Sequence, residues 1–210
     1  ESIANALAGG PGNVGALGTA SKDVLDLIDT FQSIPAYVPS VTYPNNSLGN
    51  GMKLIAQLLK ENLGLRFFHI RYGGFDTHSE QNVNNYHSNR LQNISKSLDA
   101  LYNDLVTLGF ADDTIFVVFT EFGRTAYENG SDGTDHGSVH PVLVLGNGVV
   151  GGLTTAHPNM DPTDLTAQKQ PKMVTDFRNV WGTITVKWLG ETMANIFPCY
   201  ASFTDLGFLG

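Results

Sequence analysis

The chain has 210 residues, of which 41% are hydrophobic, 15% are charged and 23 residues are glycine, and its formal net charge is −8. Chains of this length commonly form one domain, and so low a charged fraction excludes coiled coils and disordered proteins. An acidic chain without a run of basic residues also lacks the positive surface of a nucleic-acid-binding protein, so no nucleic acid is expected as a partner.

Cysteine content and hydropathy exclude further classes. Cys199 is the only cysteine, so no disulfide can form within the chain. No segment has the roughly 20 consecutive apolar residues that cross a bilayer, and no transmembrane segment is therefore predicted. The first ten residues lack the basic and apolar parts of a secretory signal, and the chain does not begin with Met.

The first part of the chain predicts two helices. Residues 9–20 are rich in small and polar side chains and predict a flexible lead-in. A helix is expected at 21–33, with Ser21 as its N-cap and a face of apolar side chains. Prolines and asparagines between 34 and 51 indicate an irregular connection, and a second helix is expected at 48–62.

Strands and helices alternate in the rest of the chain. Residues 65–72 predict a short strand, and leucine or isoleucine at every third or fourth position from Leu91 to Leu108 predicts a long helix ended by a glycine. The apolar runs 114–119 and 141–145 do not alternate and predict strands buried on both faces. A last helix is expected at about 175–189. This order is typical of a sheet sandwiched by helices.

One loop with a chemically useful sequence follows the predicted strand at 65–72. It reads Gly-Gly-Phe-Asp-Thr-His over residues 73–78. Residues two apart in an extended segment project to the same side, so Asp76 and His78 can bring a carboxylate and an imidazole to one point. A tight turn in which Asp76 caps backbone N–H groups and His78 faces solvent is the alternative.

A second loop, residues 120–140, is long enough to require a functional explanation. In open α/β folds, ligands bind at the edge where such loops leave the sheet. Glu121 suits a metal ligand or a general base, and the guanidinium of Arg124 suits an anionic oxygen. Alternatively, these two side chains pair with each other. Asp135 and His136 stand just before the next strand.

The two loops together predict a metal site. Catalytic zinc sites usually take three nitrogen or oxygen ligands and keep one position open. Asp76, His78 and His136 meet that count. Asp135 is then either a further ligand or the acceptor that orients an imidazole.

Motifs in the chain resemble those of the DUF1501 family, and the resemblance covers roughly residues 45–210. The motifs stand in the same order as in the family: Gly-Gly-Phe-Asp-Thr-His at 73–78, Thr-Glu-Phe-Gly-Arg at 120–124, Gly-Thr-Asp-His-Gly at 133–137, Asp-Phe-Arg at 176–178, Trp-Leu-Gly at 188–190 and Leu-Gly-Phe-Leu at 206–209. The family is similar to the alkaline phosphatase and sulfatase superfamily, whose fold is a three-layer α/β/α sandwich. The resemblance implies that residues 45–210 form the C-terminal part of such a domain, after a lead-in and first helix at 1–44.

The same resemblance assigns roles residue by residue. Asp76 and His78 match an aspartate and a histidine on one metal, and His136 matches the later histidine that completes the shell. Glu121 falls where many members carry the aspartate of an Asp–His pair for a second metal, whereas the following Phe122 cannot ligate a metal. The implied cofactor is a divalent metal ion: zinc, or alternatively calcium, magnesium or manganese.

The resemblance also implies a function and a location. Superfamily members cleave phosphate or sulfate esters, so the expected substrate is an anionic small-molecule or polymer ester, with Glu121 and Arg124 acting in catalysis. The superfamily's nucleophile comes from an N-terminal region that residues 1–44 do not match. The N-terminal remainder of the same protein or a second chain is therefore an expected partner. A twin-arginine export signal is common in the family, which implies an exported, periplasmic or extracellular protein. The alternative is an exported binding or assembly protein that retains the fold without catalysis.

Overall fold

The computed structural model describes residues 3–200 and 202–210. The chain divides into two compact units, one of residues up to Val38 with Glu61–Leu63 and the other of Pro39–Lys60 with Gly64–Gly210. The helices are α1 Ile3–Ala8, α2 Gly12–Ser33, α3 Ser47–Lys60, α4 Tyr86–Leu108, α5 Phe177–Thr183 and α6 Met193–Ile196. The strands are β1 Phe116–Val118, β2 Gly123–Arg124, β3 His136–Gly137 and β4 Leu143–Leu145. A 3₁₀ turn at Val83–Asn85 precedes α4, and a π-helical segment at Ile184–Trp188 follows α5.

In the first unit, α1 and α2 pack closely against each other. The prediction of a flexible lead-in at 9–20 is wrong, because α2 begins at Gly12 and Ser21 lies inside the helix rather than at its cap. A Cβ at Gly18 would lie only 2.4 Å from the backbone nitrogen of Ala8. The small residues of this segment therefore permit close helix packing instead of flexibility.

The predicted apolar face of α2 is present but exposed. Its large side chains are each more than a third accessible to solvent: Val24, Leu27, Ile28 and Phe31. The spacing thus predicted the helix correctly but did not predict burial.

In the second unit, α3 and α4 pack together through small and branched side chains. The buried residues of these helices include Met52, Ala56, Leu101 and Leu105. The long predicted helix is confirmed: α4 ends at a left-handed Gly109 with φ 81°, whose backbone N–H donates to the carbonyl of Val106 at 3.3 Å. This is the ordinary way in which glycine ends a helix.

A buried carboxylate attaches the irregular segment before α3 to α4. Asp104 is 1% exposed. Its Oδ1 accepts hydrogen bonds from the backbone N–H and the hydroxyl of Ser40, at 2.9 and 2.7 Å, and its Oδ2 accepts one from the Tyr43 hydroxyl at 2.8 Å. The proline-rich connection predicted at 34–51 is therefore anchored by polar contacts.

The strands are shorter and more exposed than predicted. The described strands form two antiparallel pairs, in which β1 pairs with β4 and β2 pairs with β3. Residues 65–72 contain no strand. Leu143 and Leu145 are 53% and 41% exposed, so burial of 141–145 on both faces is wrong. An apolar run does not by itself specify how many strands and layers cover it.

The last helical segment closes one face of the β1–β4 pair. It begins with Asp176, whose Oδ1 accepts a hydrogen bond from the backbone N–H of Arg178 at 2.9 Å, and its final part is π-helical. Ile184, Phe208 and Leu209 form a buried cluster, against which side chains from β1 and β4 pack. The helix expected at 175–189 is thus confirmed, and so is a mixed α/β fold.

Across the described residues, none of the helices has both the length and the hydropathy of a membrane span. This finding agrees with the sequence prediction on that point.

Candidate metal centre

The two loops singled out from the sequence lie side by side. Hydrogen bonds between backbone groups join residues 77–81 to residues 131–134. They run from Thr134 N to Thr77 O at 3.2 Å, from Glu80 N to Ser131 O at 2.9 Å and from Gln81 N to Asp132 O at 2.9 Å. The Gln81 side chain adds to this, because its Oε1 accepts hydrogen bonds from the Thr77 and Thr134 hydroxyls at 2.9 and 2.8 Å.

Three predicted ligands converge on one point. Asp76 Oδ1 lies 2.7 Å from Nε2 of His136 and 3.0 Å from Nε2 of His78. One potential ligand atom from each of these residues lies within 4.8 Å of the others. All three side chains are about half exposed or more, so the cluster is open to solvent.

Asp135 contacts the opposite side of the His78 ring. Its Oδ1 lies 3.2 Å from Nδ1 of His78, so the imidazole stands between two carboxylates. Of the two roles that the sequence left open for Asp135, this arrangement matches that of an acceptor that orients the ring. The neighbouring His136, the first residue of β3, instead contacts Asp76.

Arg124 joins the two loops rather than pairing with Glu121. Its terminal nitrogens donate to the backbone carbonyls of Thr134 and Phe75, which immediately precede Asp135 and Asp76. One of these nitrogens also lies 3.5 Å from Asp76 Oδ1. Glu121 is exposed and makes no hydrogen bond or ion pair with any described residue. The alternative of a Glu121–Arg124 pair is therefore wrong, because backbone carbonyls occupy the guanidinium.

Phe122 stacks on an imidazole of the cluster. Its ring centroid lies 4.1 Å from that of His136, with an angle of 18° between the ring planes. The guanidinium of Arg124 lies 4.9 Å from the centroid of the same phenyl ring. The side chain that cannot ligate a metal thus restrains the orientation of one that can.

The carboxyl groups of the cluster titrate below their ordinary range. The hydrogen bond from His136 lowers the pKa of Asp76 below 3.8, and the positive charges of His136, His78 and Arg124 act in the same direction. The pKa of Asp135 is lowered mainly by the hydrogen bond from the Asn129 amide and then by that from His78. Both carboxylates are therefore ionised at neutral pH, as metal ligation and imidazole binding require.

In the metal-free protein, we expect His136→Ala to raise the pKa of Asp76. The folded-state pKa is depressed, so the contact stabilises the fold above the ordinary aspartate pKa, and this contribution is lost as the pH falls through the lower folded value. Carbon-detected NMR titration of the Asp76 carboxyl measures the change. Asp161, whose pKa is lowered by its own bonds to Thr163, is expected to keep its midpoint. An Asp76 midpoint unaffected by the substitution would contradict the contact.

Sequence reasoning missed the side chains that hydrogen-bond to the two loops or stack on the ligands of the cluster. Asn129 donates from Nδ2 to Asp135 Oδ1 at 3.0 Å and to the carbonyl of His78 at 2.9 Å. Gln81 and Phe122 were likewise not recognised as supporting residues. Nothing in the local sequence distinguishes Asn129 or Gln81, since each acts through a partner on another segment of the chain. Phe122 differs from them, because it lies in the motif at 120–124.

Comparison with known proteins identifies a family for the chain. A family model described as "Protein of unknown function (DUF1501)" matches residues 16–185. The matched region begins inside α2, upstream of the residues 45–210 predicted from the motifs, and it ends before the motifs at 188–190 and 206–209. No curated protein and no solved structure matches the chain.

Proposed function

The chain belongs to the DUF1501 family, and from that premise we propose that it is a metal-dependent hydrolase-like protein acting on phosphate or sulfate esters. The observation that carries this proposal is the convergence of Asp76, His78 and His136 within 4.8 Å. Two imidazoles and a carboxylate gathered from separate loops are the donor set of many catalytic metal sites.

The chemistry of these donors selects among the expected ions. Zinc accepts imidazole nitrogen and carboxylate oxygen together, whereas calcium and magnesium prefer ligand sets made of oxygen atoms. Zinc therefore fits the cluster best, and manganese comes next. A bound ion would polarise an ester oxygen and stabilise negative charge that develops on it.

Each protein group has a separate task in this proposal. Asp76, His78 and His136 hold the ion, and Asp135 accepts a hydrogen bond from Nδ1 of His78 so that Nε2 faces the other ligands. Glu121 is the proposed general base, because its exposed carboxylate makes no hydrogen bond or ion pair with any residue that the structure describes. Arg124 keeps the loops together, and the N–H groups that it does not use can bind an anionic ester oxygen.

The wider context of the proposal comes from the family resemblance. We propose a three-layer α/β/α sandwich of the alkaline phosphatase type, an exported location, and a nucleophile supplied by an N-terminal region of the same protein or by a second chain. An anionic small-molecule or polymer ester is the proposed substrate. An open cluster is accessible to either kind of ester.

Metal analysis combined with an ester panel tests the proposal. Purified protein dialysed against zinc or manganese is expected to retain the ion. Release of product from aryl phosphate or aryl sulfate is expected once the N-terminal region or second chain that supplies the nucleophile is present. His78→Ala and His136→Ala should each weaken metal binding more than about tenfold, because each removes a ligand. His157→Ala is the matched control, since His157 is exposed and, among the described residues, its side chain hydrogen-bonds only to the adjacent Pro158 carbonyl.

Two results would overturn this function. One is the absence of bound metal in the wild type, and the other is metal content and activity that survive both substitutions. Metal binding without ester cleavage would favour the second candidate, an exported binding or assembly protein that retains the fold. Phe122 favours this candidate, because it stacks on His136 at a position where the superfamily commonly places a ligand.

A further inference from the structure

Asn129 connects its own turn to the histidine–carboxylate cluster. Its Oδ1 accepts hydrogen bonds from the backbone nitrogens of Ser131 and Gly133, at 2.9 and 3.2 Å. Its Nδ2 donates to Asp135 Oδ1 at 3.0 Å and to the carbonyl of His78 at 2.9 Å. Both ends of the amide are therefore used, and the donor end points to the cluster.

The donor end acts on the carboxylate that contacts His78. Asp135 Oδ1 receives Asn129 Nδ2 and also lies 3.2 Å from Nδ1 of His78. The Asp135 side chain is 62% exposed, so packing alone does not fix the rotation of its carboxylate. The Asn129 amide supplies that restraint, because it holds the oxygen that faces the imidazole.

The backbone of His78 is held by the same amide. Nδ2 donates to the His78 carbonyl as well as to Asp135. The Asn129 amide therefore fixes both the His78 backbone and the carboxylate that accepts from Nδ1 of its ring. The Nε2 atom is then left facing Asp76 Oδ1 at 3.0 Å. In proteins that bind metals through histidine, partners of this kind set the tautomer and orientation of the ring.

We infer that Asn129 is a positioning residue that acts through Asp135 to orient the His78 imidazole. Only its effect on metal affinity rests on the proposed function. The effect on the ring follows from the contacts within the protein alone.

A role limited to shaping the turn is the competing explanation, and two substitutions separate the explanations. Asn129→Asp retains an oxygen acceptor for the Ser131 and Gly133 nitrogens but removes the N–H donors. Asn129→Ala removes both the acceptor oxygen and the N–H donors. At high ionic strength, which screens repulsion between the new carboxylate and Asp135, a residue that only shapes the turn would be replaced well by aspartate, whereas a positioning residue would not.

The decisive measurement is nitrogen NMR of the imidazoles in metal-free protein. We expect both Asn129 variants to shift the His78 Nδ1 signal, and Asp135→Ala to shift it as well. Combining Asn129→Ala with Asp135→Ala should shift the signal by less than the sum of the two single effects, because both substitutions remove the same contact of Asp135 with the ring. The His157 signals provide an internal reference in every spectrum.

Zinc titration provides the readout that depends on the proposed function. Asn129→Ala is expected to lower zinc affinity about 10- to 100-fold. Asn103→Ala is the control, since the side-chain amide of Asn103 hydrogen-bonds to Asp99 of the same helix and to no other residue in the described part of the chain.

The outcomes separate this inference from the proposed function. The positioning role would be overturned if the His78 Nδ1 signal of Asn129→Asp stayed at its wild-type position. It would also be overturned if the signal of the Asn129→Ala, Asp135→Ala double variant shifted by the full sum of the two single effects. If the wild type binds no zinc, the proposed function fails, while the imidazole spectra still decide the role of Asn129.

Discussion

Gly133→Ala is expected to lower the free energy of unfolding by about 1–3 kcal/mol and to separate the two loops of the candidate metal centre. A Cβ at this position would lie 2.3 Å from the carbonyl carbon of His78 and 2.5 Å from its oxygen. These are backbone atoms and cannot rotate away, so the loop that carries Asp76 and His78 must move. The hydrogen bonds between Asn129 and Gly133, at 2.8 and 3.2 Å, would be strained by the same movement.

Urea denaturation and the His78 imidazole signals measure this effect. Gly130→Ala is a matched control in the same loop, because a Cβ at Gly130 would meet no atom within 4 Å. That variant should unfold within about 0.5 kcal/mol of the wild type. Equal stability and equal His78 spectra for the two variants would show that the loops are not packed as described.

Asp104→Ala is expected to destabilise the second unit by about 2–5 kcal/mol. The substitution removes the acceptor of the Ser40 backbone N–H, the Ser40 hydroxyl and the Tyr43 hydroxyl. The contacts of the Ser40 N–H and the Tyr43 hydroxyl are part-buried, so water replaces their lost acceptor poorly, whereas the Ser40 hydroxyl keeps Thr107 Oγ1 as a second acceptor at 3.1 Å. Because Asp104 is 1% exposed, a cavity adds to the loss.

Equilibrium unfolding followed by circular dichroism tests this prediction. Asp99→Ala on the same helix is the control, since Asp99 is exposed and its side chain accepts, within residues 3–200 and 202–210, only from Asn103 at 3.1 Å. The control is expected to change stability by less than about 0.5 kcal/mol. If Asp104→Ala is no more destabilising than Asp99→Ala, the buried hydrogen bonds do not anchor the segment.

The helices of the second unit were largely predictable because their signals are local. The leucine spacing before Gly109 predicts α4, and Gly109 ends it in the left-handed conformation. Asp176 likewise caps the helix expected near the C-terminal end of the described chain. Each of these signals depends on residues within a few positions of one another.

The strands were less predictable because their pairing is not local. The run 114–119 forms only the three-residue strand Phe116–Val118, paired with Leu143–Leu145. Residues 65–72 also contain several apolar side chains, but they pair with no strand in the described residues. Composition shows that a segment tolerates extended backbone, whereas a partner elsewhere in the chain decides whether a sheet forms.

For the candidate centre, the sequence alone determined the residue types and the close pairs. Asp76 stands two positions before His78, and Asp135 stands directly before His136. The order of the motifs also indicated the family, which the match to residues 16–185 shows. These are properties of short segments, in which the geometry of the backbone limits where neighbouring side chains can point.

Only the tertiary structure decided which of these groups meet. His136 reaches Asp76 across 60 positions, and His78 reaches Asp135 across 57. Arg124 bonds to two backbone carbonyls instead of Glu121, and Asn129 holds the carboxylate behind His78. The physical reason is that a hydrogen bond requires a donor and an acceptor about 3 Å apart, and between distant segments that distance is set by how the loops pack.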